Sequence, residues 1–307
     1  MGAGTFHREN QTGLLAMKVT VAATQMACGW DIPANLDKAE SLIRRAAAAG
    51  ANVVLLQEMF ATHFFGFNDW KPEFFALAEP LKSSTILARM TSLAKELGVV
   101  LPVNLFERDN HAYYNTVVMI DADGRRLGHY RKSHIPAGPP GCFEKIYTSP
   151  GDTGFRAWST AFGNIGVGIC WDQWFPESAR CMALLGAEML FYPTAIGSDC
   201  HDHWEVVMRG HAGASLMPLV ASNRIGTEKG DLGSTTFWGS SFIAGPRGEV
   251  VAKAGKTEET VITATFDLDE IQIMRANWGV FRDRRPDLYG PLLTLDGKTA
   301  ASGASFG

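Results

Sequence analysis

The chain has 307 residues, 46% hydrophobic and 20% charged, an ordinary globular composition. Its net charge of −4 offers no basic surface for nucleic acid or an anionic membrane, and no apolar run approaches the roughly eighteen residues that a spanning helix needs. Five cysteines, Cys28, Cys142, Cys170, Cys181 and Cys200, form an odd, scattered set without a CxxC pair, which argues against a disulfide framework or zinc site and for reduced thiols in a cytoplasmic setting.

Met1 to Ala16 is polar and lacks the apolar core of a signal peptide, so residues 1–16 are expected to be a poorly ordered extension or tag remnant. Lys18 to Met26 alternates and is rich in Val and Thr, as a strand is. Asp31 can cap a helix with Pro33 in its first turn, Ile32, Leu36, Ala39, Ile43 and Ala46 on one face and Gly50 at its end. Val53 to Leu56 is a short buried strand running into Gln57 and Glu58. Phe60 to Trp70 is aromatic and aperiodic, hence a loop. Ser84 opens a second helix that Gly98 stops. Val99 to Phe106, Tyr114 to Ile120 and Arg126 to Lys132 read as three successive strands. Ser133 to Pro150, with four prolines and two glycines, is a long shaped loop.

The apolar run Ile165 to Ile169 predicts a buried strand, and Pro176 suits the first turn of a helix that Gly186 can end. Cys170 between them is expected at a strand-to-helix elbow. There its sulfur would project from the sheet, and the helix N-terminus would favour thiolate. A strand at Met189 to Tyr192, a helix carrying Trp204, Val207, Met208, His211 and Ser215, and a strand at Leu219 to Ser222 follow. Further strands are expected at Ser240 to Ala244, Val250 to Lys253 and Thr260 to Phe266, then a short helix from Leu268 to Ala276. The rest, Asn277 to Gly307, lacks periodicity. This mixture predicts one α/β domain over residues 17–293, a layered sandwich of two mixed sheets with helices outside, followed by a tail over 294–307. A strict doubly wound fold fits less well, because three strands follow one another between Val99 and Lys132.

A nucleophilic cysteine needs a base for its proton and a group to hold the oxyanion formed on attack. Glu58 and Lys132 each terminate a strand. If those strands neighbour that of Cys170, the three side chains share one sheet edge, with a pocketed carboxylate as base and an ammonium facing the oxyanion. The same residues read alone allow a buried structural cysteine and an isolated Glu58–Lys132 ion pair.

Three segments carry a resemblance. Val54-Leu-Leu-Gln-Glu58, Tyr130-Arg-Lys-Ser-His-Ile-Pro136 and Gly166-Val-Gly-Ile-Cys-Trp-Asp172 resemble, in order, the signature blocks of the nitrilase, or carbon–nitrogen hydrolase, superfamily. The resemblance covers roughly Met17 to Leu293. It implies an αββα four-layer sandwich and a Glu-Lys-Cys triad: Glu58 as general base and acid, Lys132 as oxyanion stabiliser, Cys170 as nucleophile. It also implies a second glutamate, Glu144, orienting Lys132 and the substrate amide or water. No metal or organic cofactor is implied, and a homo-oligomer is, formed through the helix after the nucleophile and the C-terminal tail.

Cys170-Trp-Asp-Gln-Trp-Phe-Pro-Glu177, Phe191-Tyr-Pro-Thr-Ala-Ile-Gly-Ser198 and Val220-Ala-Ser-Asn-Arg-Ile-Gly226 resemble the branch acting on N-carbamoylputrescine in polyamine synthesis. Gln173 and Trp174 stand where relatives acting on carbamoylated amino acids often carry arginine. Trp171, Trp174 and Asp172 are candidates to receive a cationic alkyl chain, although Asp172 could equally cap the following helix. Thr194 and Ala195 are further candidate substrate contacts through the resemblance. The loops Met59 to Trp70 and Ala137 to Phe143 depart from that branch and leave the chain length and head group open. Another N-carbamoyl amine, an N-carbamoyl amino acid or an ω-amide are the alternatives. A non-catalytic assembly module and a redox-sensing thiol protein are readings of a different class. His201 and His203 around Asp202 fit a solvated helix cap better than a metal site. Arg282, Arg284 and Arg285 could grip a carboxylate or bridge subunits.

Overall fold

Alternation decides the first sheet. In β1 (Lys18–Gln25), Val19, Val21 and Ala23 face one core and Ala22 faces another, as the period of two in a strand requires. Residues 17–68, 70–138, 142–197 and 200–298 of the computed structural model are described. The expectation for residues 1–16, and for the tail beyond residue 298, lies outside them.

Helix α1 (Ile32–Ala48) begins at Asp31, whose side chain accepts the Ala34 N–H at 3.1 Å. β2 (Val53–Leu55) follows. α2 (Thr85–Leu97) is capped by Ser84, which accepts the Leu87 N–H at 3.0 Å, and is ended by Gly98 at φ 65°. Both caps and the left-handed glycine are the ones expected. β3 (Leu101–Asp109), β4 (Ala112–Ile120) and β5 (Arg126–Arg131) form an antiparallel meander. β1 pairs with β2 in parallel and antiparallel with β14 (Thr260–Asp267). A parallel bridge between Val53 and Val100 joins β2 to β3. The strand order of this first sheet is therefore β14-β1-β2-β3-β4-β5.

The second sheet collects β6 (Ala157–Thr160), β7 (Gly163–Val167), β8 (Met189–Pro193), β9 (Leu219–Ser222), β12 (Phe242–Ala244) and β13 (Val250–Lys253), in the order β13-β12-β9-β8-β7-β6. β7, β8 and β9 run parallel, joined through α3 (Pro176–Leu184) and α4 (His201–Ser215). Val53, Leu55, Val117 and Met119 of the first sheet share a core with Ile165, Val167 and Val220 of the second, and this core continues to Met182, Trp204 and Met208 of α3 and α4. Ala22, Val54, Leu56, Val118 and Ile120 instead pack with α1 and α2. The outcome is the expected sandwich of two mixed sheets between helical layers. Each fully buried Val or Leu contributes about 1.5–3 kcal/mol.

Two pieces have no counterpart in the sequence reading. β6 is only four residues long and pairs with β7 at the sheet edge. β10 (Ile225–Gly230) and β11 (Gly233–Trp238) form a separate hairpin. Their glycines and polar residues give little strand signal, and each is stabilised by pairing with the other. After α5 (Leu268–Trp278) the chain makes short 3-10 turns at Pro286–Leu288 and Gly290–Leu293.

Candidate active site

Strand direction brings the chemistry to one edge. β7, β8 and β9 are parallel neighbours, so the residues just past their C-terminal ends, Cys170, Ala195 and Arg224, emerge together. In the facing sheet β2, β3 and β5 share a direction, which carries Glu58 and Lys132 to a common edge.

There Lys132 Nζ donates to Glu58 Oε1 at 2.8 Å and to Glu144 Oε2 at 2.6 Å. Asn115 Nδ2 bridges the other way, to Glu58 Oε1 at 2.7 Å and Glu144 Oε1 at 2.9 Å. Asn104 Nδ2 holds Asn115 Oδ1 at 2.7 Å. All five side chains are buried. Among the described residues, Glu58 Oε2 alone of the four carboxylate oxygens is buried without a hydrogen-bond partner.

Cys170 opens a 3-10 turn, Cys170–Trp174, directly before α3, with a left-handed φ of 43°. For a non-glycine residue this conformation costs on the order of 1–3 kcal/mol. It is the expected elbow, with 7% of the residue open. Burial, then the charge of Glu58, pushes its thiol well above the usual cysteine range, while Lys132 and the Ala195 backbone N–H at the sulfur pull the other way. The expectation that a helix terminus favours thiolate is therefore corrected: desolvation and a facing carboxylate outweigh it. A thiol so placed can attack only with a base to take its proton. Burial disfavours the Lys132 charge, but Glu144 and Glu58 outweigh burial and hold the ammonium well above the usual lysine range. Burial raises the Glu144 carboxyl, with Lys132 opposing and Glu58 reinforcing the rise.

Other candidates sort by geometry. Trp171 is 39% exposed beside Cys170, its ring 6.1 Å from that of Trp174. Ala195 lies at the sulfur. Thr194 is buried and its hydroxyl donates inward, to Tyr192 O at 3.2 Å and Gln173 Oε1 at 3.3 Å. Asp172 turns inward rather than toward α3, which no side chain caps among the described residues. It is fully buried, and its carboxylate receives Tyr130 Oη at 2.7 Å, Ile169 N at 2.9 Å and His134 N at 3.0 Å, with His134 Nδ1 at 2.7 Å. These bonds tie the elbow to the Lys132 segment. Trp174 lines a groove of about 1030 Å³ between α3, α4 and the C-terminal turns, and its ring lies tilted against that of His203 at 4.7 Å.

His201 Nδ1 meets Asp202 Oδ1 at 3.0 Å, and among the described residues no group of three or more His, Cys, Asp or Glu is placed to hold a metal ion. Arg282 and Arg285 pair with Asp283 and Asp287, and Arg284 lies over Tyr289. The sequence reading missed Asn104, Asn115 and Arg224. An asparagine inside an otherwise apolar or aromatic strand, as at Tyr113-Tyr-Asn-Thr-Val117, was the available signal.

A thiol, an adjacent carboxylate with one free oxygen, and a fixed ammonium can together carry out acyl transfer through a covalent thioester-type intermediate. A family model for carbon-nitrogen hydrolases matches residues 20–276. An N-carbamoylputrescine amidase of Solanum tuberosum is 58% identical over 291 residues, covering 91% of this chain and 96% of the relative. A citrullinase of Francisella tularensis is 46% identical over 282 residues, covering 90% and 98%. The crystal structure of a carbon-nitrogen hydrolase from Helicobacter pylori G27 superposes with a TM-score of 0.84 at 38% identity, covering 91% of this chain and 99% of that one. With that match across nearly all of both sheets, and the buried Glu58–Lys132–Cys170 edge they build, the chain belongs to the carbon-nitrogen hydrolase family.

Proposed function

We propose that the chain hydrolyses N-carbamoylputrescine to putrescine, carbon dioxide and ammonia, with Cys170 as nucleophile, Glu58 as base and Lys132 as oxyanion donor. The observation that carries this reading is the buried Glu58 Oε2, the one triad carboxylate oxygen left without a partner. The raised thiol of Cys170 requires such a base. Glu58 takes the thiol proton as sulfur attacks the carbamoyl carbon. Lys132 and the Trp171 N–H, in the first turn after the elbow, hold the oxyanion. Glu58 returns the proton to the departing ammonia, leaving an S-thiocarbamate. Water, deprotonated by Glu58, displaces the sulfur, which recovers its proton. The released carbamic acid then splits into the amine and carbon dioxide. Glu144 keeps Lys132 charged and oriented.

Substrate choice is supported by the 58% identity to the potato amidase. The citrullinase relative favours a second reading, since citrulline also carries a terminal ureido group. Ammonia release from N-carbamoylputrescine, N-carbamoyl amino acids, citrulline and ω-amides decides between them. The first should give the highest kcat/KM, with activity abolished in Cys170→Ala. A higher value for citrulline would overturn the substrate assignment.

The same reading includes a homo-oligomer and a reducing, cytoplasmic compartment. Exposed Leu184, Leu185, Leu288, Leu292 and Leu293 around α3 and the C-terminal turns support the first, and five free cysteines support the second. Light scattering that returned the 33.4 kDa monomer mass would remove the oligomer.

A further inference from the structure

Beyond the triad, a fully buried charge whose bonds reach the backbone of the site is Arg224, two residues past the end of β9. It is 0% exposed. Its Nε and Nη2 donate to the backbone carbonyl of Glu58 at 3.0 and 2.8 Å, and Nη2 also to the carbonyl of Met59. Nη1 is paired with Glu228 Oε1 of β10 at 2.8 Å. The second oxygen of Glu228 accepts the Phe64 N–H, with His63 Nδ1 3.4 Å away. Met59 itself is held in the left-handed region at φ 50°, and its N–H donates to Asn104 Oδ1 at 2.6 Å.

These bonds have a direction. Glu58 belongs to the first sheet, whereas Arg224 and Cys170 follow parallel strands of the second. The Arg224 guanidinium therefore ties the backbone that carries the base to the sheet that carries the nucleophile. From the first sheet's side, Asn104 fixes the same peptide segment, and Asn115, which Asn104 holds, fixes the Glu58 side chain. A planar fork holds two carbonyls and a carboxylate in one fixed geometry, which a point-charge ammonium with rotating donors does not. A backbone turn with a non-glycine residue at positive φ persists only when its surroundings over-determine it.

We infer that Arg224 is a positioning residue for the reaction: it sets the separation between Glu58 and Cys170 by clamping the Glu58–Met59 peptide, with Glu228 as its counter-charge. The inference rests on the reading of Glu58 as base. It does not place Arg224 against substrate.

Arg224→Lys keeps the charge and its pairing with Glu228 but removes the fork. In folded Arg224→Lys, kcat should fall about 10²-fold, the scale of a misplacement near 1 Å, with KM unchanged. A second readout needs no substrate. Glu58 raises the Cys170 thiol, so a loosened Glu58 should move the pH midpoint of Cys170 alkylation by iodoacetamide downward. Glu228→Gln, which keeps the Phe64 N–H bond and removes the counter-charge, should give a smaller shift in the same direction. A kcat and an alkylation midpoint both at wild-type values in folded Arg224→Lys overturn the inference. So does a kcat loss with an unmoved midpoint. Should the wild-type protein release ammonia from no ureido or amide compound, the proposed function fails, while the alkylation profile still decides the role of Arg224.

Discussion

Glu58 and Lys132 meet through a single carboxylate oxygen, Oε1, at 2.8 Å, and both side chains are closed to solvent. Such a buried pair is weak evidence for stability. Its value here is positional: one oxygen is fixed by Lys132 and Asn115, and the other has no hydrogen-bond partner among the described residues.

Glu58→Gln should therefore separate turnover from nucleophile reactivity. On the proposed mechanism this change should lower kcat by about 10²–10⁴-fold. The same change removes a negative charge that raises the Cys170 thiol while Lys132 stays in place, so thiolate should form at lower pH. Iodoacetamide labelling of Cys170 at pH 8 should become faster than in the wild-type protein as ammonia release disappears. Slower labelling would contradict the electrostatic account.

Tyr130→Phe tests whether Asp172 braces the elbow. It removes the hydroxyl bond to a fully buried carboxylate at 2.7 Å, along with the hydroxyl's bonds to Ser133 Oγ at 3.0 Å and from the Ser133 N–H at 3.1 Å, and leaves the Ile169 and His134 bonds intact. A bond to a charged acceptor contributes about 1.5–3 kcal/mol, so urea denaturation should show a loss of that order, with kcat reduced and KM unchanged. A stability equal to wild type would show that the remaining donors suffice.

His211 predicts an acid limb in stability. It is 5% exposed on α4, and neither ring nitrogen has a hydrogen-bond partner among the described residues. Burial lowers its pKa to about 4, against about 6.5 for an unfolded histidine. As pH falls through about 6.5 the unfolded chain takes up the proton first. Stability is full above that pH, declines down to about 4, and loses on the order of 3 kcal/mol in total. His211→Leu should flatten this limb when urea midpoints are followed from pH 7 to 4. Parallel curves for the two proteins would reject it.

Much of the framework was legible in the sequence because it is locally encoded. Asp31, Ser84 and Gly98 act within one turn of where they stand, and the alternation of Val19, Val21 and Ala23 is a property of a single strand. Glu58, Lys132 and Cys170 were readable as polar residues ending apolar strands, and the family motifs supplied their grouping. What only the tertiary structure decided depends on partners far apart in the chain. Asn115 joins Glu58 to Glu144, Arg224 clamps a peptide more than 160 residues upstream, and Asp172 turns inward to Tyr130 and His134. The state of Cys170 changed for the same reason: helix polarity is local, whereas desolvation and the charge of Glu58 exist only once two sheets close over the thiol.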